Sequence, residues 1–155
     1  MSSHHLQADN IDQALFRLTS LRHLNLSGNN FSMSRLPVTT GFEQRTHLDF
    51  SDTNIAGEVP AGIGRLVSVV YLDLSTSFSM VSYDDETSIT RFTIDSIWQL
   101  SVPNMETLLA NLTNLEELHM GMVNMSGNGE QWCNDIGNFT PKLQVLSLPY
   151  CSIYS

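Results

Sequence analysis

The feature that most constrains this chain is a pair of apolar residues separated by one position, which recurs five times. The pairs begin, in order, at Leu24, Leu48, Leu72, Leu118 and Leu146. The steps between them are 24, 24, 46 and 28 residues, and the first copy reads Leu-x-x-Leu-x-x-Leu-x-Leu-x-x-Asn over residues 18–29. Two identical steps that carry the same extended pattern are hard to obtain by chance, so the chain is an array of repeats.

The spacing predicts a stack of short parallel strands. Because side chains alternate along a strand, both members of each pair point to one face and the residues beside them point to the other. One turn of this length cannot bury its leucines alone, so neighbouring turns stack and share a core. We therefore predict an α/β leucine-rich-repeat solenoid of about five repeats, with a curved parallel sheet on the concave side and short helical or irregular convex segments. The predicted repeats lie in one array over residues 1–155, near 15–37, 42–60, 63–77, 108–127 and 139–155.

The 46-residue step predicts an insertion at residues 78–104, which contains the acidic run Tyr83-Asp84-Asp85-Glu86. Long loops within a compact array are usually functional or mobile. The alternative for this segment is a further turn with its apolar positions at Ile89, Phe92 and Ile94.

Single positions depart from the pattern or mark the ends of local structure. Arg45 stands where an apolar residue is expected, so its guanidinium either reaches solvent or distorts this turn. Asn104 is predicted to cap a short convex helix, and Asn128 to cap a second one that leads into Trp132. In this class of repeat, the position three residues after each apolar pair usually holds Asn, whose side chain can donate a hydrogen bond. We expect that bond to be missing in the repeat that has Val123 at this position. The five residues at this position are Asn29, Thr53, Ser77, Val123 and Cys151.

The residues beside the leucines form candidate binding rows on the concave face. Adjacent strands lie about 4.8 Å apart, so equivalent residues of successive repeats form continuous rows. Repeat proteins bind partners on such surfaces. The candidate ligand-binding residues are His23, Asn25, His47, Asp49, Tyr71, Asp73, Glu117 and His119. The alternative is that Leu-Asp-Leu-Ser simply belongs to the repeat, and we predict no metal site, because exposed histidines seldom hold zinc.

Further motifs point to one class of repeat protein. Residues 55–60 read Ile-Ala-Gly-Glu-Val-Pro, which matches the tail Leu-x-Gly-x-[Ile/Val]-Pro, and residues 31–37 are a degenerate version. With these tails, the chain resembles the plant extracellular leucine-rich-repeat receptors, and most closely the receptor-like proteins tied to wilt-fungus resistance. The closer resemblance lies in Leu72-Asp73-Leu74-Ser75-Thr76, Asn111-Leu112-Thr113-Asn114-Leu115, Trp132-Cys133 and Leu146-Ser147-Leu148-Pro149-Tyr150-Cys151.

The resemblance implies part of an ectodomain that recognises a peptide or protein ligand in defence or developmental signalling. An intact receptor of this kind lies in the plasma membrane with its repeats on the extracellular side, and it signals through a co-receptor kinase. The alternatives are an intracellular leucine-rich-repeat scaffold, the sensing domain of a cytoplasmic immune receptor, or a truncated remnant that binds nothing. The Gly-x-Val-Pro tail favours the extracellular interpretation, because cytoplasmic repeats usually lack it.

An extracellular protein would carry modifications that the sequence permits. Asn-x-Ser/Thr sequons predict N-glycosylation at Asn30, Asn111, Asn124 and Asn138, whereas the sequon at Asn25 falls inside a strand and is interpreted as accidental. Cys133 and Cys151 either form a disulfide in an oxidising compartment or remain two buried thiols.

Composition and missing motifs argue against several function classes. With 7 Lys and Arg against 16 Asp and Glu, the net charge of −9 disfavours nucleic-acid binding. No apolar run approaches the roughly 20 residues of a membrane span, and no secretory leader is visible at the first residues. The Gly-x-Ser-x-Gly, phosphate-loop and His-Glu-x-x-His motifs are missing from the sequence, so we expect a protein that is not an enzyme and has no cofactor.

Overall fold

The computed structural model of the chain describes residues 18–36, 42–77 and 99–153. Within these ranges the chain forms seven short strands, two α-helices and two 3₁₀ helices. The strands are His23–Asn25 (β1), His47–Asp49 (β2), Gly57–Glu58 (β3), Tyr71–Asp73 (β4), Leu100–Ser101 (β5), Glu117–His119 (β6) and Val145–Ser147 (β7). The α-helices are Met105–Leu109 (α1) and Trp132–Phe139 (α2), and the 3₁₀ helices are Ala61–Arg65 and Ser126–Gln131.

The first members of the apolar pairs lie in register across one parallel sheet. Its strand order is β1-β2-β4-β6-β7. Leu24 is paired with Leu48, Leu48 with Leu72, Leu72 with Leu118, and Leu118 with Leu146. Each step of the sequence pattern, including the 46-residue step, therefore advances this sheet by one strand. The predicted leucine-rich-repeat solenoid is confirmed.

The same leucines form the core of the stack, but not equally at its two ends. Leu48, Leu72 and Leu118 are 0% exposed and Leu24 is 5% exposed, whereas Leu146 in β7 is 44% exposed. Burying a leucine side chain contributes roughly 1.5–3 kcal/mol. The middle turns therefore gain more hydrophobic stabilisation than the turn that ends in β7.

A second parallel ladder runs along the segments that follow the concave strands. β3 is paired with β5, and single bridges continue the ladder from Ser101 to Asn124 and from Asn124 to Ser152. Gly57, which opens β3, has a φ of 95°, a left-handed conformation that glycine tolerates because it has no Cβ. Val59 follows the ladder position of β3 and is buried, as are Val102 and Met125 in the later turns. The Gly-x-Val-Pro tail therefore builds a separate layer of the solenoid.

The predicted insertion at residues 78–104 extends too far at its C-terminal end, because its last residues belong to this ladder. Leu100–Ser101 already belongs to the ladder, and Val102-Pro103 follows it as Val59-Pro60 follows β3. The sequence pattern missed this tail because Leu100 stands where the motif has glycine. The acidic run and the alternative turn at residues 89–94 lie outside the described residues.

Two asparagines on the convex side were predicted to cap helices, and one of them does. Asn104 caps α1, since its side chain accepts the Thr107 N–H at 2.7 Å. The prediction for Asn128 is wrong, because α2 begins only at Trp132 and has no side-chain cap. Asn128 instead joins two turns: its amide donates to the Val102 carbonyl at 2.6 Å and its oxygen accepts the Met105 N–H at 2.6 Å. Among the described residues, no helix is both long and apolar enough to cross a membrane.

Arg45 is accommodated inside the stack, so the predicted escape to solvent is wrong. The residue is 0% exposed. Its Nη2 donates to the Leu18 carbonyl at 2.9 Å, and its guanidinium carbon lies 5.3 Å from the centre of the Phe42 ring. A carbonyl of the preceding turn and an aromatic face thus offset part of the lost hydration of the cation.

Candidate ligand-binding face

All eight predicted ligand-binding residues lie on the concave sheet. Each contributing strand has three residues, a leucine in the middle and a candidate on either side, so alternation turns the candidates away from the core. The register forms two rows. The first row is His23, His47, Tyr71 and Glu117, and the second is Asn25, Asp49, Asp73 and His119. Their arrangement as a face is established by the fold, while their role in binding stays a prediction.

Four aromatic rings form a row across four strands, and we call His23, His47, Tyr71 and His119 the ring row. The centres of the His23 and His47 rings are 3.9 Å apart with the planes 22° from parallel. The His47 and Tyr71 rings are 6.0 Å apart at 16°, and Tyr71 and His119 are 5.4 Å apart at 40°. His119 joins diagonally, because its partner in register is Asp73 rather than Tyr71. These separations are in or just below the usual 4.5–7 Å range of aromatic pairs.

Residues of the second row form the same side-chain turn at the end of β1, β2 and β4. The Oδ1 atom of Asp49 accepts from the Ser51 N–H at 3.0 Å and from the Ser51 hydroxyl at 2.6 Å. Asp73 makes the same two bonds with Ser75, and Asn25 makes them with Ser27. The alternative interpretation of Leu-Asp-Leu-Ser is therefore right in part, since one oxygen of each residue stabilises the repeat's own turn.

The other side-chain atoms of this row connect neighbouring residues. The Asn25 amide donates to Asp49 Oδ2 at 2.8 Å, and the Tyr71 hydroxyl donates to Asp73 Oδ2 at 3.2 Å. Farther along the sheet, His119 Nε2 lies 3.5 Å from Glu117 Oε2. The two aspartates are thus satisfied by neutral donors, and their negative charge is not cancelled by these bonds.

Two groups of the ring row have shifted pKa values. Burial raises the pKa of Tyr71 to about 12, and the carboxylates of Asp73, Asp49 and Glu117 add to the shift. The pKa of His47 is lowered from 6.5, first by burial and then by the neighbouring His23, although Glu117 and Glu116 act in the opposite direction. The centre of the face therefore favours a neutral tyrosine and a neutral His47 at neutral pH.

The ring arrangement differs from that of a metal centre. His23 and His47 meet face to face, so their nitrogen lone pairs, which lie in the ring planes, do not converge on one point. Within the described ranges, no group of three or more His, Cys, Asp or Glu residues is placed to hold a metal ion.

The four predicted glycosylation sites lie outside the concave rows. Asn30, Asn111 and Asn138 are exposed, whereas Asn124 is half-buried in the second ladder. The Asn111 amide donates to the Gly64 carbonyl at 2.9 Å, and Asn30 Oδ1 accepts from the Asn54 amide at 2.9 Å. Glycan attachment at these sites stays a prediction.

Of the two alternatives for the cysteines, the disulfide is not formed in the structure. Both are free, with Cys133 exposed in α2 and Cys151 half-buried after β7. The Cys151 thiol donates to the Met120 carbonyl of the preceding turn at 2.8 Å, whereas the equivalent residue Thr53 donates to the Phe50 carbonyl of its own turn. Burial raises the pKa of the Cys151 thiol. The second alternative, two buried thiols, is also wrong for Cys133.

Comparison with known proteins places the chain among leucine-rich-repeat sequences. The family model described as Leucine Rich Repeat matches residues 20–41, which include β1. Receptor-like protein 6 of Arabidopsis thaliana is 32% identical to the chain over an alignment that covers 90% of it. The chain spans only 15% of the length of that relative. No solved structure matches the chain significantly.

Proposed function

Because the chain is a leucine-rich-repeat solenoid similar to a plant receptor-like protein, we propose that it is a recognition module of such a protein and binds a peptide or protein ligand. The concave face carries the contact residues. The function is binding rather than catalysis.

The ring row is the observation that carries this proposal. The core of each strand is already supplied by its central leucine, so the stack does not require aromatic side chains on the outward positions. Nevertheless His23, His47, Tyr71 and His119 place four rings side by side on the outer face. Rigid amphipathic rings give large contact area at low cost in conformational entropy, which is why aromatic residues are enriched in binding surfaces.

The finer assignment rests on the similarity and on the sequence motifs. We infer a parent protein of the plasma membrane, with these repeats on the extracellular side and glycans on Asn30, Asn111, Asn124 and Asn138. We further infer that it acts in defence or developmental signalling through a co-receptor kinase, as a receptor of the wilt-fungus-resistance type. Because the chain corresponds to a small part of its relative, each of these statements belongs to the proposal.

Selection of ligands from a random peptide library tests the binding function. The full chain is produced in a secretory host, immobilised, and used to select peptides whose affinity is then measured. We expect binders that lose at least about tenfold in affinity to the His47→Ala/Tyr71→Ala variant, since truncating a central aromatic residue often costs more than 2 kcal/mol. The variant Val67→Ala removes a residue that is 52% exposed and outside both rows, so it should bind like the wild type.

The alternative outcomes are distinct. If no peptide is selected, or if the selected peptides bind both variants equally well, the concave face is not a recognition surface. Circular dichroism of each variant shows whether a loss of affinity comes from unfolding.

A further inference from the structure

The carboxylate charges of the concave face are not balanced by cationic side chains of the same face. Asp49 and Asp73 lie on adjacent strands, with Glu117 on the next strand of the sheet. The donors to the two aspartates are two serines, the Asn25 amide and the Tyr71 hydroxyl, all neutral. His119 lies against Glu117 and carries a charge only when protonated. Neither row of the face contains lysine or arginine.

The pKa of Tyr71 indicates the same electrostatic environment at the centre of the face. Burial is the largest cause of the raised pKa, and three carboxylates, those of Asp73, Asp49 and Glu117, add to it because they disfavour a further negative charge on the phenol. The same three carboxylates attract a cation to this part of the face.

The ring row adds a surface that suits one type of cation. A guanidinium is planar, stacks on aromatic faces, and forms directional hydrogen bonds with carboxylate oxygens. Each aspartate Oδ2 accepts one neutral donor and retains capacity for another, because a carboxylate oxygen has two lone pairs. Tyr71 and Asp73 belong to the same strand, so ring and carboxylate are presented on one side of the sheet.

We propose that the concave face binds an extended peptide through a basic side chain, preferably arginine, that lies against Tyr71 and pairs with the carboxylates of Asp49 and Asp73. The proposal rests on the recognition function above and adds the chemical class of the ligand. Charge complementarity selects this occupant over a neutral or acidic peptide.

Matched peptide pools test the preference. The probes are random, otherwise uncharged peptides that carry one central arginine, lysine or citrulline, and binding of each pool to the full chain is measured by fluorescence anisotropy. Citrulline keeps the shape of arginine but has no charge. We expect the arginine pool to bind at least about tenfold more tightly than the citrulline pool, as charge-assisted bidentate bonds require, with lysine between them.

The chain provides a conservative variant for the aspartates. Asn25 already makes the turn with Ser27 that Asp49 and Asp73 make with their serines, so Asp49→Asn/Asp73→Asn keeps the turns and removes two charges. The variant also replaces the Oδ2 acceptors of the Asn25 amide and the Tyr71 hydroxyl by amide groups. This variant should bind the arginine pool at least about tenfold more weakly and leave citrulline binding unchanged. Glu106→Gln/Glu130→Gln removes two exposed carboxylates outside the sheet and should leave both affinities unchanged.

The outcomes separate this proposal from the recognition function. Equal affinity for arginine and citrulline pools, with loss of both in His47→Ala/Tyr71→Ala, would overturn the basic ligand and leave the recognition function intact. An arginine preference that survives Asp49→Asn/Asp73→Asn would overturn the assigned contacts. If neither these pools nor the random library yields a peptide that binds the concave face, both proposals are wrong.

Discussion

The early and the late repeats share one register but are stabilised in different ways. In β1, β2 and β4, the residue after the central leucine accepts two hydrogen bonds from a serine two positions later. The equivalent pairs of β6 and β7 are His119 with Gly121 and Ser147 with Pro149. Gly121 and Pro149 have no side-chain hydroxyl to donate, and Pro149 has no N–H either. The early strands therefore end in local side-chain bonds that the late strands do not make.

Side-chain contacts between turns are present in both regions, and the late strands β6 and β7 have no local bonds of this kind in addition to them. The Asn111 amide donates to the Gly64 carbonyl, and the Asn114 amide donates to the Val67 carbonyl, both at 2.9 Å. Lys142 Nζ then donates to Asn114 Oδ1 at 2.7 Å, which extends the connection to the next turn. The comparison teaches that the early strands combine bonds within a turn with bonds between turns, whereas the late strands keep the same geometry without the bonds within a turn.

The largest expected effect is the difference in the free energy of unfolding when the central leucine is truncated in the middle of the stack and in β7. Leu72→Ala empties a position that is 0% exposed and should lower the free energy of unfolding by about 2–5 kcal/mol. Leu146→Ala, at the same register position with 44% exposure, should cost less than about 1.5 kcal/mol, because roughly half of the side chain is already in water. Urea denaturation followed by circular dichroism gives both values. Equal losses would mean that Leu146 is buried as fully as Leu72.

Removing a strand-end turn should have a smaller effect. Asp73→Ala removes the acceptor of two hydrogen bonds from Ser75 and one from the Tyr71 hydroxyl, so we expect a loss of about 2–3 kcal/mol, since each bond contributes about 1 kcal/mol. Asp73→Asn keeps the Oδ1 acceptor of the turn, and its amide can donate to the Tyr71 hydroxyl oxygen, so this variant should lose less than about 0.5 kcal/mol. His119→Ala changes the equivalent late position, where no such turn exists, and should lose about 0.5–1.5 kcal/mol from its ring contact with Tyr71, less than Asp73→Ala. A larger loss for His119→Ala than for Asp73→Ala would contradict the contrast between the early and the late strand ends.

The sequence predicted the backbone of this molecule well because its strongest signal is periodic. Leu24 and its four equivalents specify the strands and the register, and alternation then specifies which residues share the concave face. The stacking of His23 on His47 was beyond this reasoning, since it depends on rotamers that spacing does not encode.

Predictions were wrong where one residue has more than one available partner. Asn128 is of a residue type that often caps helices, yet its amide donates to the Val102 carbonyl of the preceding turn, and a local motif does not reveal this contact. Cys151 was a disulfide candidate, but its thiol points to the Met120 carbonyl. The second ladder at Leu100 was missed because the motif required glycine there. Long-range contacts of single polar residues are the part of the fold that one sequence leaves undetermined.

The two cysteines of the late repeats should differ in the rate at which their thiols react. Cys133 is exposed, whereas Cys151 is half-buried with its pKa raised by burial and its thiol donating to a carbonyl. Because the thiolate is the reactive form, a maleimide at pH 7.5 should label Cys133 several times faster than Cys151. Mass spectrometry of the labelled peptides measures both rates, and the variants Cys133→Ser and Cys151→Ser assign them. Faster labelling of Cys151 would show that the turn after β7 opens readily in solution.

The smallest expected effect is the pH dependence from the early end of the ring row. Because the pKa of His47 is lowered from 6.5, the folded chain binds this proton less readily than the unfolded chain does. Stability is therefore highest above pH 6.5, falls as the pH decreases below that value, and levels off below the folded-state pKa. His47→Phe retains a ring for stacking on His23 and Tyr71 but cannot be protonated, so its unfolding midpoint should change less between pH 7 and pH 5 than that of the wild type. An equally steep pH dependence in His47→Phe would show that protonation of His47 does not cause the effect.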